Sequence, residues 1–149
     1  MKLRVYLDTS VFSAYFDNRV RDRQRETEAF WARRQEFDLA TSELGRDELR
    51  QASDPVQRRR LLGLLRGFTV LAVTEEMKQL GQRYVSEGVF TATMLNDALH
   101  VAAAVISRQD VLLSWNFRHL VNRRRRAKVN DVNVEAGLPT IEILAPSEL

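Results

Sequence analysis

The run Val111-Leu112-Leu113-Ser114-Trp115 constrains this chain more than any other stretch. It is apolar without alternation, as expected of a central parallel strand covered on both faces. Four further runs read as strands: Leu3 to Leu7, where Leu3, Val5 and Leu7 alternate against Arg4 and Tyr6, then Phe37 to Thr41, Phe68 to Val73, and Ile141 to Leu144, stopped by Pro146. Helical patterns lie between them. An apolar run, Val11 to Phe16, follows the first strand, and Val20 to Gln35 spaces Ala29, Phe30, Trp31 and Ala32 along a helix. Ser42 is a natural cap for a helix carrying Leu44 and Leu49, and Asp54-Pro55 restarts a helix that Gly67 ends. Thr74-Glu75-Glu76 opens another that Gly88 closes. Thr93 caps Met94 to Ile106, the most apolar helix, and Phe117 to Lys128 is read as a helix with an arginine run near its end. Strands alternating with helices give an α/β fold, one domain over residues 1–149, with a mainly parallel five-stranded sheet flanked by helices.

Composition narrows the chemistry. The 149 residues are 44% hydrophobic and 29% charged, enough apolar matter for one full core. There are no cysteines, which excludes a disulfide scaffold, a thiolate metal site and a cysteine nucleophile. No run approaches membrane-spanning length and no apolar leader block opens the chain, so the expectation is a cytoplasmic protein. The net charge of +3 comes with arginine clusters at Arg58-Arg59-Arg60 and Arg123-Arg124-Arg125-Arg126. Single runs of this kind are usually solvated faces; two of them, with an excess of base, are compatible with a polyanionic partner.

Acids then gather at one edge. Asp8 ends the first strand where a helix begins, flanked by Thr9 and Ser10, and ligands bind at that end of open α/β sheets. Asp97 lies in the first turn of the most apolar helix, whose neighbours Met94, Leu95, Ala98 and Val101 draw it toward the core, where a carboxylate requires a partner. Asn116 follows the central strand and shares the edge of Asp8. Glu48, on the helix after the second strand, can point over that edge from the side. Three carboxylates and an amide offer only oxygen, a donor set suited to Mg²⁺ or Mn²⁺ and to phosphoryl chemistry.

These pieces resemble the PIN-domain ribonucleases found as toxins in bacterial VapBC toxin–antitoxin pairs. The likeness is carried by Leu7-Asp8-Thr9-Ser10, Asp47-Glu48-Leu49-Arg50, Asn96 to Ala102, Leu113 to Leu120, and Ile141 to Pro146, and it spans essentially the whole chain. It implies an endonuclease acting on RNA, with Asp8, Glu48 and Asp97 as metal ligands. Thr9 or Ser10 would hold phosphate or water, with Ser114 and His119 on the substrate side. At the fourth acidic position, where many members carry Asp, this chain has Asn116, which brings an oxygen without a charge. The resemblance also implies a homodimer and a small antitoxin that blocks the cleft.

Other residues have plainer readings. Glu43 is explained by its place in a first turn, Asp47 faces solvent, His100 is a hydrogen-bonded core histidine, and Trp31 and Trp115 pack. A haloacid-dehalogenase-type phosphatase wants a second Asp where Ser10 stands, and a receiver domain wants Asp where the third strand ends in Val73-Thr74. No glycine-rich phosphate loop is present. The rival from another class is a non-catalytic PIN-like domain that binds RNA or a partner through a weakened metal site.

Overall fold

Five parallel strands form one sheet in the order β3-β2-β1-β4-β5. β1 (Leu3–Leu7) sits in the middle, paired with β2 (Phe37–Ser42) on one side and β4 (Val111–Leu113) on the other; β3 (Thr69–Leu71) and β5 (Glu142–Leu144) form the edges. The computed structural model describes residues 1–149. Strand side chains alternate between faces, and the register Val5↔Val111, Tyr6↔Leu112, Leu7↔Leu113 sets like residues side by side. Tyr6, Leu112 and Ile143 enter one core, while Val5, Leu7, Leu39, Val111 and Leu113 enter the other. The unbroken apolar run in β4 therefore serves both faces, and the strand is wholly buried.

The first layer consists of α1 (Thr9–Phe16), α2 (Arg21–Ala32), α3 (Glu43–Arg50) and α4 (Pro55–Gly63); the second of α5 (Glu75–Ser86), α6 (Leu95–Ile106) and α7 (Arg123–Glu135). Side-chain caps explain several starts: Asp8 for α1, Ser42 for α3, Asp54 with Pro55 for α4, and Thr74 for α5. The chain runs outward from β1 through β2 to β3, then returns to the other side of β1 with β4 and β5. The direction reverses between β1 and β4, and the crevice beyond their carboxyl ends is where an open α/β sheet takes a ligand. Asp8 and Ser114 end those two strands.

Several boundaries differ from the sequence expectation. Residues 117–122 form turns, and α7 begins at Arg123, so the arginine run opens the last helix instead of closing one. Two asparagines cause this. Asn116 accepts the His119 N–H with its side chain and the Leu120 and Val121 N–H groups with its carbonyl. Asn122 then caps α7 by accepting the Arg125 N–H at 2.8 Å. Thr93 is not a cap: a 3₁₀ turn, Ala92–Met94, precedes α6, which has no side-chain cap. α2 stops at Ala32 before a second 3₁₀ turn, Arg34–Glu36, and α4 stops at Gly63, ahead of Gly67, whose φ of +82° lets the chain turn into β3.

Candidate active site

Asp8 occupies the switch point, with only 5% of its surface exposed. Its Oδ1 accepts the Ser10 N–H at 3.0 Å and the Ser10 hydroxyl at 2.5 Å; its Oδ2 accepts the Ser114 hydroxyl at 2.6 Å. Those donors also tie the strands together. Ser114 Oγ accepts the Asn116 N–H at 2.9 Å, and Ser10 Oγ accepts the Trp115 N–H at 2.8 Å. Burial pushes the Asp8 carboxyl above its ordinary range; the positive His100 and the three donors reduce the effect without cancelling it. No Lys or Arg pairs with this carboxylate.

Glu48 reaches the same edge from α3, because Gly45 allows that helix to press on β2. A Cβ at Gly45 would stand 2.3 Å from Thr41 Oγ1 and 3.7 Å from His100. The Glu48 Oε1 lies 2.6 Å from His100 Nε2, and its Oε2 accepts the Thr9 hydroxyl at 3.1 Å. Burial would raise the Glu48 carboxyl, but the His100 bond and charge, with Thr9, outweigh it and hold it below the usual range. His100 shows the same contest in reverse. Burial would lower it, while Glu48 first, then Asp8 and Asp97, raise it. As an imidazolium it donates Nε2–H to Glu48 and Nδ1–H to the Tyr6 oxygen 2.7 Å away, leaving the Tyr6 hydroxyl to donate to Ser42 Oγ at 2.7 Å.

Asp97 stands at the start of α6, 22% exposed, with its Oδ2 2.9 Å from His119 Nδ1. The partner that its surroundings demand is thus a histidine from the turn after β4. Asn116 is near, but its Oδ1 is engaged by the His119 N–H at 2.9 Å. Sequence reasoning missed Tyr6 as the anchor of His100. It placed His100 in the core without its bond to Glu48, although the spacing of three from Asp97 on one helix puts the two on neighbouring faces. Phe117, 55% exposed and beside Trp115, also passed unremarked. Trp115 itself packs, donating its indole N–H to Thr27 at 2.9 Å. Asp47 faces solvent and pairs with Arg50.

Carboxylate, amide and hydroxyl oxygens are the donors a hard divalent cation takes. In kind the residues fit such an ion, and the buried Asp8 has no Lys or Arg partner in the fold. In position they are not yet gathered: no three acidic or imidazole side chains stand close enough to ligate one ion together. Glu48 is turned to His100, and Asp97 to His119.

The model of the PIN domain matches residues 5–135. The chain belongs to the PIN domain family. The matched span begins inside β1 and closes on the last residue of α7, so this PIN domain includes Asp8, Glu48, Asp97 and Asn116. Among solved structures, the chain is similar to VapC20 of Mycobacterium tuberculosis, a sarcin-ricin loop cleaving toxin, with a TM-score of 0.63 and 13% identity over 93% of this chain and 98% of that one. It is similar to VapBC-1 of nontypeable Haemophilus influenzae, with a TM-score of 0.63 and 15% identity over 97% and 99% of the two chains. DNA-bound VapBC of Salmonella typhimurium gives 0.59 and 15%, over 97% and 98%. At such identities the likeness concerns the fold. No curated protein matches the sequence.

Proposed function

We propose that this PIN domain is a metal-dependent endoribonuclease, the toxin of a type II toxin–antitoxin pair, working in the cytoplasm as a homodimer with a small antitoxin as partner. The observation that carries the reading is Asp8, a carboxylate buried at the β1/β4 switch point with three hydrogen-bond donors and no Lys or Arg partner. Capping α1 explains a polar side chain at this position, but not a carboxylate held so deeply with no Lys or Arg partner, which suits a site that takes a cation in function. Asp8, Glu48 and Asp97 are the residues that would hold Mg²⁺ or Mn²⁺. When bound, the ion supplies positive charge that lets phosphate enter an acidic cleft and makes water a better nucleophile.

The chain's own residues have separate tasks. Ser10 and Ser114 fix the Asp8 carboxylate on two sides, so its position is set before substrate arrives. His100, anchored by Tyr6, favours the ionised form of Glu48 and fixes one of its oxygens, while Thr9 holds the other. His119 holds Asp97 in place through its Nδ1, 2.9 Å from the Asp97 Oδ2. Asn116 adds an oxygen without charge, and it braces the His119 turn instead of the acids.

One observation favours the alternative of a non-catalytic RNA- or partner-binding domain: the acids stand apart, and the Asn116 oxygen is engaged. The experiment compares the full chain, freed of antitoxin, with Asp97→Asn on a mixed RNA pool in Mg²⁺, Mn²⁺ or EDTA. The nuclease reading expects cleavage that is lost in EDTA and falls at least about a hundredfold in the variant. RNA binding by a folded chain without cleavage, unrelieved by Asn116→Asp, would establish the alternative.

A further inference from the structure

The arginine run Arg123-Arg124-Arg125-Arg126 fills the opening turn of α7, where the helix already presents its positive end, and no acid occupies that turn. Cations stabilise the other end of a helix, so here they work against the fold. Arg124, Arg125 and Lys128 of α7 line a concavity of about 290 Å³ with Arg118, Asn122 and Thr91. None of its four cations takes part in an ion pair, whereas Arg19, Arg23, Arg25, Arg33, Arg50, Arg83 and Arg126 all do. Arg125 forms the fixed wall. Its guanidinium lies over the Phe90 ring, 4.7 Å from the ring centre, and donates to the Val89 carbonyl. Arg118, Arg124 and Lys128 are exposed and free to meet a ligand.

The cup adjoins the acids. Arg118 precedes His119, the partner of Asp97, and Arg125 is near enough to Asp97 to feel its charge. A second basic concavity, lined by Lys2, Arg4, Arg34 and Arg66, also contains Asp38 and opens at the amino ends of β2 and β3, the opposite edge from Asp8. We propose that the α7 cup binds backbone phosphates of the RNA strand whose scissile bond lies at Asp97. This rests on the nuclease reading. Guanidinium forks and an ammonium without carboxylate partners suit phosphate oxygens, and such contacts add affinity without selecting sequence.

The test measures binding of a labelled mixed-sequence single-stranded RNA of roughly 20 nucleotides by fluorescence anisotropy, in EDTA, across a salt series. The full chain is compared with Arg118→Ala/Arg124→Ala/Lys128→Ala and with Lys2→Ala/Arg59→Ala/Arg66→Ala, which removes equal charge elsewhere. Three phosphate contacts to a single strand correspond to a slope of about 2 in log K against log salt. The cup variant should lose that slope and bind at least about tenfold more weakly at low salt, and the other triple should not. Should the cup triple fold poorly, Arg124→Ala and Lys128→Ala alone should each lower the slope by about 0.7. An unchanged slope in the cup variants, or an equal loss in the other triple, overturns the proposal. Cleavage in Mg²⁺ is read in parallel: a full chain that cleaves with no change in slope leaves the nuclease and refutes the cup. One that never cleaves but loses slope leaves the cup as an RNA site and refutes the nuclease.

Discussion

Removing one oxygen, in Tyr6→Phe, tests whether the site is held together from beneath the sheet. The Tyr6 hydroxyl is fully buried and lies 2.7 Å from both Ser42 Oγ and His100 Nδ1. Burial keeps it protonated at every accessible pH. Phenylalanine keeps the ring and its edge-on contact with His100, whose centroid is 5.7 Å away. The cost is therefore confined to hydrogen bonds. A neutral bond to Ser42 is worth about 1 kcal/mol, and the bond from a charged imidazole about 1.5–3 kcal/mol, since a buried N–H is left without an acceptor. The sum, about 3 kcal/mol, should lower Tm by roughly 6–12 °C for a chain of this size. Urea unfolding should report the same loss through a lower midpoint at unchanged m. Cleavage should fall about tenfold through the displaced Glu48, while metal-independent RNA binding at the α7 cup stays put. A Tm within 2 °C of the parent would refute the idea that this hydroxyl braces His100.

Other outcomes follow from the same geometry. Glu48 is held below its unfolded value near 4.5, so its contribution is present above that pH and lost as pH falls through the folded value; His100 is held above 6.5, so its contribution is complete below that pH and lost as pH rises through the folded value. The stability difference between the parent and Glu48→Gln should thus be greatest between pH 4.5 and 6.5 and shrink on both sides, as read from urea midpoints across pH; a flat difference would contradict the pair. Asp8→Asn should abolish cleavage yet melt no lower than the parent in EDTA, because burial disfavours the charge it removes; adding Mg²⁺ at about 100 times Kd should raise only the parent, by about 2.7 kcal/mol. Gly45→Ala should destabilise by about 2 kcal/mol despite better helix propensity, since its Cβ would meet Thr41 Oγ1 at 2.3 Å; a raised Tm would show that α3 has room.

The alternation of strands and helices was legible because β4 has no polar face and the remaining strands lie between clear caps at Ser42, Asp54 and Thr74. The turn between β4 and α7 was not. Arginine has high intrinsic helix propensity, so the run reads as helix without saying where the helix starts, and nothing local says whether Asn116 and Asn122 are helical residues or the caps they become. Asp8 was the easiest acid to place, since a strand-to-helix junction is a local pattern. Glu48 needed a motif. Its orientation depends on Gly45 fitting against Thr41 and on the bonds of His100 to Glu48 and Tyr6, which lie 52 and 94 residues from it in sequence.

By itself, then, the order of apolar and polar residues determined an α/β sheet and sent Asp8, Glu48, Asp97 and Asn116 toward one edge, because burial and capping act over a few neighbouring residues. The tertiary structure decided who partners whom. The switch point between β1 and β4 exists only once five strands have paired. His100 became the brace of Glu48, His119 took Asp97, and the arginines were set at the opening turn of a helix, the end where their charge does not stabilise it. Those pairings join groups tens of residues apart, and only the closing of the sheet brings their charges within reach of one another.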